Sequence, residues 1–316
     1  MILQQMKTKI IIAGIGGVGG YFGGSLASYY AEDENIEVNF LARGSHLKEI
    51  QKNGLKIIKG KDEFFAKPNI ATDIPTEIGI ADFILICTKS YDIEAITLQL
   101  QPCVDQNTVI LPLLNGVDSQ EKIKSIYPNN LVLEGCVYIV SRLKQAGVIE
   151  NSGNIQSLYF GANYITNEKI ILFEKILTQA GIDATCSPNI STIIWEKFIF
   201  LSPTATATSY YNKCIGEIIS DAESLDTICL LIDEVQKLAK AKRIFISKDI
   251  QEKTLIKLKS LPFETTSSMH SDFINKKQKT ELKTLTGYVI SEGKKLNVPT
   301  PTFSKLFAYL EKKSDF

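Results

Sequence analysis

Lys9-Ile-Ile-Ile-Ala-Gly14-Ile-Gly16-Gly-Val-Gly19-Gly20 joins a β-branched apolar run to a glycine cluster, and residues 21–30 continue it in a helical pattern. A strand that turns through G-x-G-x-x-G into a helix is the first βα turn of a doubly wound sheet. Each glycine of the motif has its own reason. Gly14 allows the tight turn, Gly16 lets a pyrophosphate approach the backbone, and Gly19 permits close packing of helix on strand. With Gly17 and Val18 opening the helix, unpaired N–H groups and the helix dipole would favour phosphate there. A functionless glycine-rich turn has the same letters; the position of this one in an alternating chain gives it weight.

Outward from this loop, strand-like runs at 9–13, 37–41, 82–87, 108–113 and 131–138 alternate with helical patterns at 17–30, 46–52, 93–100 and 118–126. Such alternation predicts an α/β, Rossmann-type doubly wound parallel sheet. From 138 to 160 the pattern shortens around Gly147, Asn151, Gly153 and Asn154, which suits antiparallel strands closing one edge. Turn formers around Pro188 mark a boundary, giving an N-terminal domain over 1–188 and a second over 189–316. Beyond it Leu225, Ile228, Leu231, Ile232, Val235 and Leu238 recur at helical spacing, as do Leu282, Leu285, Val289 and Ile290, so the C-terminal domain is expected to be all-helical.

With 316 residues the chain exceeds what one hydrophobic core serves well, and its 35 basic residues balance 35 acidic ones. That balance argues against nucleic acid or an anionic membrane as partner. Six scattered cysteines contain no C-x-x-C pair, two histidines offer no ligand spacing, and no metal site is expected. The apolar runs fall short of the ~18 residues of a membrane span. The opening MILQQMKTKIIIAG lacks a secretory cleavage pattern, and a cytoplasmic protein is expected.

The end of the second strand decides between nicotinamide cofactors. An NAD enzyme usually carries a carboxylate there for the ribose 2′-hydroxyl, whereas this chain reads Asn39-Phe-Leu-Ala-Arg43-Gly-Ser45-His46. Arg43 would attract a 2′-phosphate and Ser45 would add a hydrogen bond, which favours NADPH/NADP. Arg43 lies farther beyond Gly14 than the usual ~20 residues, and a solvated loop cation is its plainer reading.

Several separated motifs then resemble the ketopantoate reductase family along nearly the whole chain: GIGGVGG at 14–20, LARGSHL at 41–47, CTKS at 87–90, LLNGV at 113–117, WEKF at 195–198, SSMHSDF at 267–273 leading to KTEL at 279–282, and VPTP at 298–301. The resemblance implies NADPH-dependent reduction of 2-dehydropantoate to pantoate, a step of pantothenate and coenzyme A biosynthesis. Hydride delivery to a ketone leaves negative charge on its oxygen, which needs a proton donor. With only His46 and His270 in the chain, and His46 in the cofactor loop, a lysine donor becomes plausible. The resemblance makes Lys197 the general acid. It implies that Asn115 meets both nicotinamide and substrate, that Lys89 lies near the cofactor, that Ser268 binds the substrate carboxylate, and that Glu281 holds a substrate hydroxyl or orients Lys197. The plainer readings are a snorkelling lysine for Lys197, turn chemistry for Asn115 and Lys89, a first-turn helix acid for Glu281 and a surface serine for Ser268.

The chain also departs from the family pattern. Leu201, Ala205 and Thr265 occupy positions where the family commonly has asparagine. Ser202, Thr204, Thr206 and Thr208 are candidates to compensate, though a hydroxyl does not reproduce amide geometry. Ketopantoate is the first expectation, with another small-molecule 2-oxo acid as alternative substrate, a non-catalytic NADPH-binding sensor as the third reading, and a homodimer as a possible assembly.

Overall fold

The run at 9–13 forms strand β1 (Thr8–Ala13) in the computed structural model, which describes residues 7–163, 165 and 167–314. The opening residues 1–6, on which the leader-peptide reading bears, lie outside them. Ile10 and Ile12 enter one apolar cluster with Phe22 and Leu26, while Ile11 and Ala13 enter another with Ile93, Leu100 and Ile123. A strand covered on both faces needs an unbroken apolar run, and each fully buried isoleucine contributes about 1.5–3 kcal/mol.

After β1 come α1 (Gly17–Tyr29), β2 (Ile36–Leu41), α2 (Gly44–Asn53), the hairpin β3 (Leu55–Lys59) and β4 (Asp62–Ala66), and β5 (Ile70–Thr72). Then follow β6 (Phe83–Ile86), α3 (Ile93–Gln99), β7 (Val109–Pro112), α4 (Ser119–Ile126) and β8 (Leu131–Val132). Six strands make a parallel sheet in the order β5-β2-β1-β6-β7-β8. The chain winds outward from β1 through β2 to β5, then crosses back to β6, so the strand order reverses between β1 and β6.

Two expectations need correction. The run at 131–138 is not one strand: Leu133 separates β8, the last strand of the parallel sheet, from β9 (Glu134–Gln145). The segment beyond it does not close an edge of that sheet either. β9 and β10 (Val148–Gly161) form a long antiparallel hairpin in a second sheet of five strands, in which β10 also runs parallel to β3 and to β11 (Asp183–Cys186). Asn151, Gly153 and Asn154 make no turn. They fall in a register shift within β10 between Asn151 and Gln156, where a bulge accommodates glycine and asparagine. β3 and β4 were not foreseen, because LKIIKGKDEFF is short and laden with charge, nor was β5, which is only three residues long.

The contacts divide the chain into two units. One runs to Leu114 and resumes over Asp118–Ile190; the other comprises Asn115–Val117 and the chain from Ser191. The first unit also carries α5 (Glu168–Gln179), whose Phe173 stacks on Phe83 with ring centroids 4.4 Å apart. The second is helical: α6 (Ile190–Tyr211), α7 (Ile215–Ser220), α8 (Ala222–Ala241), α9 (Ile250–Lys259), α10 (Ser268–Ile274), α11 (Tyr288–Lys295) and α12 (Pro301–Ser314). Ile228, Leu231, Ile232, Val235 and Leu238 of α8 are fully buried at its centre. Among the described residues no helix is long and apolar enough to cross a membrane.

Candidate active site

The loop after β1 has the backbone that its glycines imply. Gly14 has φ +95°, and a Cβ there would lie 2.8 Å from Thr88 Cγ2. A Cβ on Gly19 would overlap the Gly14 carbonyl oxygen and come within 2.8 Å of Cys87 Cβ. Gly16, by contrast, faces open space. Gly17 answers to another neighbour, since a side chain there would strike the Ser141 carbonyl of β9. Val18 follows in the first turn of α1, whose N-terminus has no side-chain cap and no acidic residue. Its first amides therefore lack intrahelical partners, and the first turn itself carries no negative charge.

Thr88 and Ser90 belong to the same loop system, and the sequence reading passed over both in favour of the neighbouring Lys89. The hydroxyl oxygens Thr88 Oγ1 and Ser90 Oγ are buried and have no hydrogen-bond partner. An unmet buried hydroxyl costs about 1–3 kcal/mol, so this loop is short of polar partners that a bound ligand would supply. Within the motif CTKS the two hydroxyls flank the charged residue, and no spacing marks them out. Lys89 is exposed just ahead of a short 3₁₀ turn. Cys87 is inert as a nucleophile, because burial pushes its thiol up to about 12.

Arg43 sits just ahead of α2, with its side chain 88% exposed and 3.6 Å from Asp92 Oδ2. So open an ion pair is worth little, and the guanidinium is available to an anion. Ser45 is exposed in the first turn of α2. His46, one residue on, is partly buried: its Nε2 meets the Ile15 carbonyl at 2.7 Å and its Nδ1 accepts from the Gly147 N–H at 2.9 Å.

The glycine loop fits a dinucleotide: it has a close-packed turn, an open Gly16, an uncapped helix end and unmet hydroxyls. Gly16, Gly17, Val18 and Gly19 would hold the phosphates, and Arg43 stands at the end of β2.

In the helical unit, Trp195, Phe198 and Ile199 of α6 are buried in its core, and Trp195 and Phe198 pack edge-on with ring centroids 5.7 Å apart. Burying those faces leaves Lys197 half-buried, and its ammonium donates to Asn115 Oδ1 at 3.1 Å. Asn115 follows β7 in the chain yet clusters with the helical unit, whose core receives Val117. Two predicted site residues, 82 positions apart, are thus in direct contact. Glu281 is 2% exposed, ahead of a π-helical turn over Lys283–Gly287. Ser268 is exposed at the start of α10, where the buried Ser267 caps the helix by accepting from the His270 N–H at 3.0 Å. His270 meets Thr266 Oγ1 and Asn212 Oδ1, and burial lowers its pKa, with Lys313 adding to the effect and Glu217 opposing it.

The hydroxyl row of α6 has structural employment. Ser202 donates to the Leu285 carbonyl at 2.9 Å and Thr206 pairs with Thr286 at 2.8 Å, which ties α6 to the π-helical turn. Thr204 donates to the Phe200 carbonyl at 2.6 Å, and Thr208 meets Ser267 Oγ at 2.8 Å. These hydroxyls are each engaged within the fold. Leu201 packs on the helical core and Ala205 is fully buried. Thr265 lies in the turn before α10, its carbonyl accepting from Ile215 N–H at 2.8 Å.

Comparison with known proteins places this geometry. The family model described as ketopantoate reductase PanE/ApbA matches residues 10–164, and that of its C-terminal part matches 189–314. A Bacillus subtilis (strain 168) protein named uncharacterized oxidoreductase YkpB is 27% identical over 304 residues, 96% of this chain and 98% of its own length. The crystal structure of 2-dehydropantoate 2-reductase from Porphyromonas gingivalis W83 superposes with a TM-score of 0.86 at 35% identity, covering 97% of this chain and all of that one. A ternary structure of D-mandelate dehydrogenase with NADH and anilino(oxo)acetate has a TM-score of 0.83 at 22% identity, covering 98% and 99%, a likeness of fold alone. The protein is an oxidoreductase acting on CH–OH groups. It belongs to the ketopantoate reductase family.

Proposed function

We propose that the chain reduces the ketone of a 2-oxo acid with NADPH, with 2-dehydropantoate as first substrate. The observation that carries the reading is the contact of Lys197 with Asn115, which gives the helical unit a proton donor held by a side-chain amide. When bound, the cofactor supplies hydride. The chain's own work is to offset and then neutralise the charge that grows on the ketone oxygen. A half-buried ammonium does both, first as a cation and then by giving up a proton. Asn115 Oδ1, as acceptor, fixes the direction of the Lys197 ammonium. Arg43 and Ser45 favour the 2′-phosphate of NADPH, and the absence of a carboxylate at the end of β2 removes the usual partner of the NAD ribose.

The experiment that tests this reading is Lys197→Ala. Turnover falls about 10²–10⁴-fold, the usual share of a general acid, while the affinity for NADPH, measured by titration, is retained. Turnover equal to wild type removes Lys197 from the chemistry.

A second reading concerns the substrate. Leu201 and Ala205 line the helical core with apolar groups, and the α6 hydroxyls are engaged elsewhere. This favours an oxo acid with an apolar tail over one that carries a hydroxyl.

A further inference from the structure

His46 is held between two backbone groups of opposite polarity. The Ile15 carbonyl can only accept, so Nε2 carries the proton; the Gly147 N–H can only donate, so Nδ1 presents its lone pair. The partners thus select the neutral Nε2–H tautomer. Ile15 lies between the first two glycines of the loop after β1, and its peptide is trans, as are all in the described structure. Holding the Ile15 carbonyl therefore fixes the plane that also carries the Gly16 N–H, pointing the opposite way. Gly147 is the turn of the β9–β10 hairpin, at φ +72°, where a side chain would collide with Glu49 of α2. Its carbonyl accepts from Lys56 N–H at 2.8 Å, so the turn is anchored on β3.

We infer that His46 is a positioning residue for cofactor binding, one that sets the Ile15–Gly16 peptide by tying it to the hairpin turn, and only in its neutral form. The inference rests on the cofactor reading given above. A proton on Nδ1 would face the Gly147 N–H, replacing a hydrogen bond with a clash of two donors. Burial lowers the pKa of His46 from its ordinary 6.5, with the Ile15 bond opposing. Because the folded value is depressed, the contribution is complete above 6.5 and is lost as pH falls through and below it. Charged groups on the surrounding elements are Glu49 against Gly147, the Arg142–Glu150–Lys144 cluster of the hairpin, Lys56 with Glu63 on β3 and β4, and Arg43 with Asp92.

The test measures the affinity of the intact protein for NADPH and for NADH by calorimetric titration between about pH 8 and about pH 5.5, across the range where a histidine titrates. NADH is included because it lacks the 2′-phosphate, which itself titrates in this range. His46→Ala weakens both nucleotides about tenfold at the upper pH, the effect of one to two hydrogen bonds. His46→Gln places an amide N–H near the position of Nε2. It restores most of the affinity and abolishes the loss on acidification that wild type shows with NADH. His46→Asn keeps the Gly147 acceptor but not the Ile15 donor and does not restore it. The inference is overturned if His46→Ala binds like wild type, if His46→Gln remains as pH-dependent as wild type, or if wild type binds NADH more tightly in acid. Should His46→Ala fail to fold, the Gln variant and the wild-type pH series still decide. A wild type that binds neither nucleotide overturns the cofactor reading itself, and this inference with it.

Discussion

In the proposed site the groups offered at the end of β1 are backbone amides, and those at the start of α6 are side chains on a helix whose other face is core. The glycine loop is shaped by the atoms it lacks: Gly14 turns at φ +95°, a Cβ on Gly19 would overlap the Gly14 carbonyl, and Gly16 leaves an approach open. The α6 segment is shaped by what it anchors: Trp195 and Phe198 are held in the core, and Lys197 reaches Asn115. A site made of backbone tolerates almost no substitution at its glycines and is nearly indifferent to its other side chains. A site made of side chains can exchange its specificity residues while keeping its donor. Leu201, Ala205 and Thr265 beside an intact Lys197 and Asn115 have the form of such an exchange.

That contrast can be broken at three positions, besides the Lys197 test. The largest effect is expected at Gly19→Val, where the added atoms overlap the Gly14 carbonyl. Overpacking of this kind costs about 1–3 kcal/mol of stability, and nucleotide binding by titration is lost because the loop must shift. At Arg43→Ala, NADPH binds about 10–100-fold more weakly, the worth of a hydrogen bond to a charged group, whereas NADH affinity is unchanged. Equal losses for both nucleotides would show that Arg43 does not read the 2′-phosphate. The smallest effect concerns the sheet that supports the loop. Asn39 of β2 is fully buried beside Ile11 and Ile70, and neither atom of its amide has a partner. Asn39→Leu is expected to raise stability by about 1 kcal/mol, read as a higher midpoint in denaturant.

The same contrast explains what was legible in the sequence. Glycines at fixed offsets after a β-branched run state a backbone geometry outright, and the parallel sheet and helical second unit followed from periods of apolar residues. The hairpin β9–β10 was mistaken for an edge because Asn151, Gly153 and Asn154 serve a bulge as well as they serve a turn. Lys197 and Asn115 were singled out separately, but no local pattern could show that they meet, since 82 residues separate them. Thr88 and Ser90 escaped, and His46 was placed in the cofactor loop without its contacts, for a related reason: what a small hydroxyl or an imidazole meets is visible only in the fold. The hydroxyls of α6 likewise have partners that no local pattern announces: the π-helical turn for Ser202 and Thr206, the Phe200 carbonyl for Thr204 and Ser267 for Thr208.

The account is tested most directly by following the loss of NADPH in the purified wild-type protein supplied in turn with 2-dehydropantoate and with 2-oxo acids bearing apolar tails. It predicts turnover with NADPH well above that with NADH, on 2-dehydropantoate or on one of the apolar acids. NADPH that binds and is never consumed with any of these acids would contradict it.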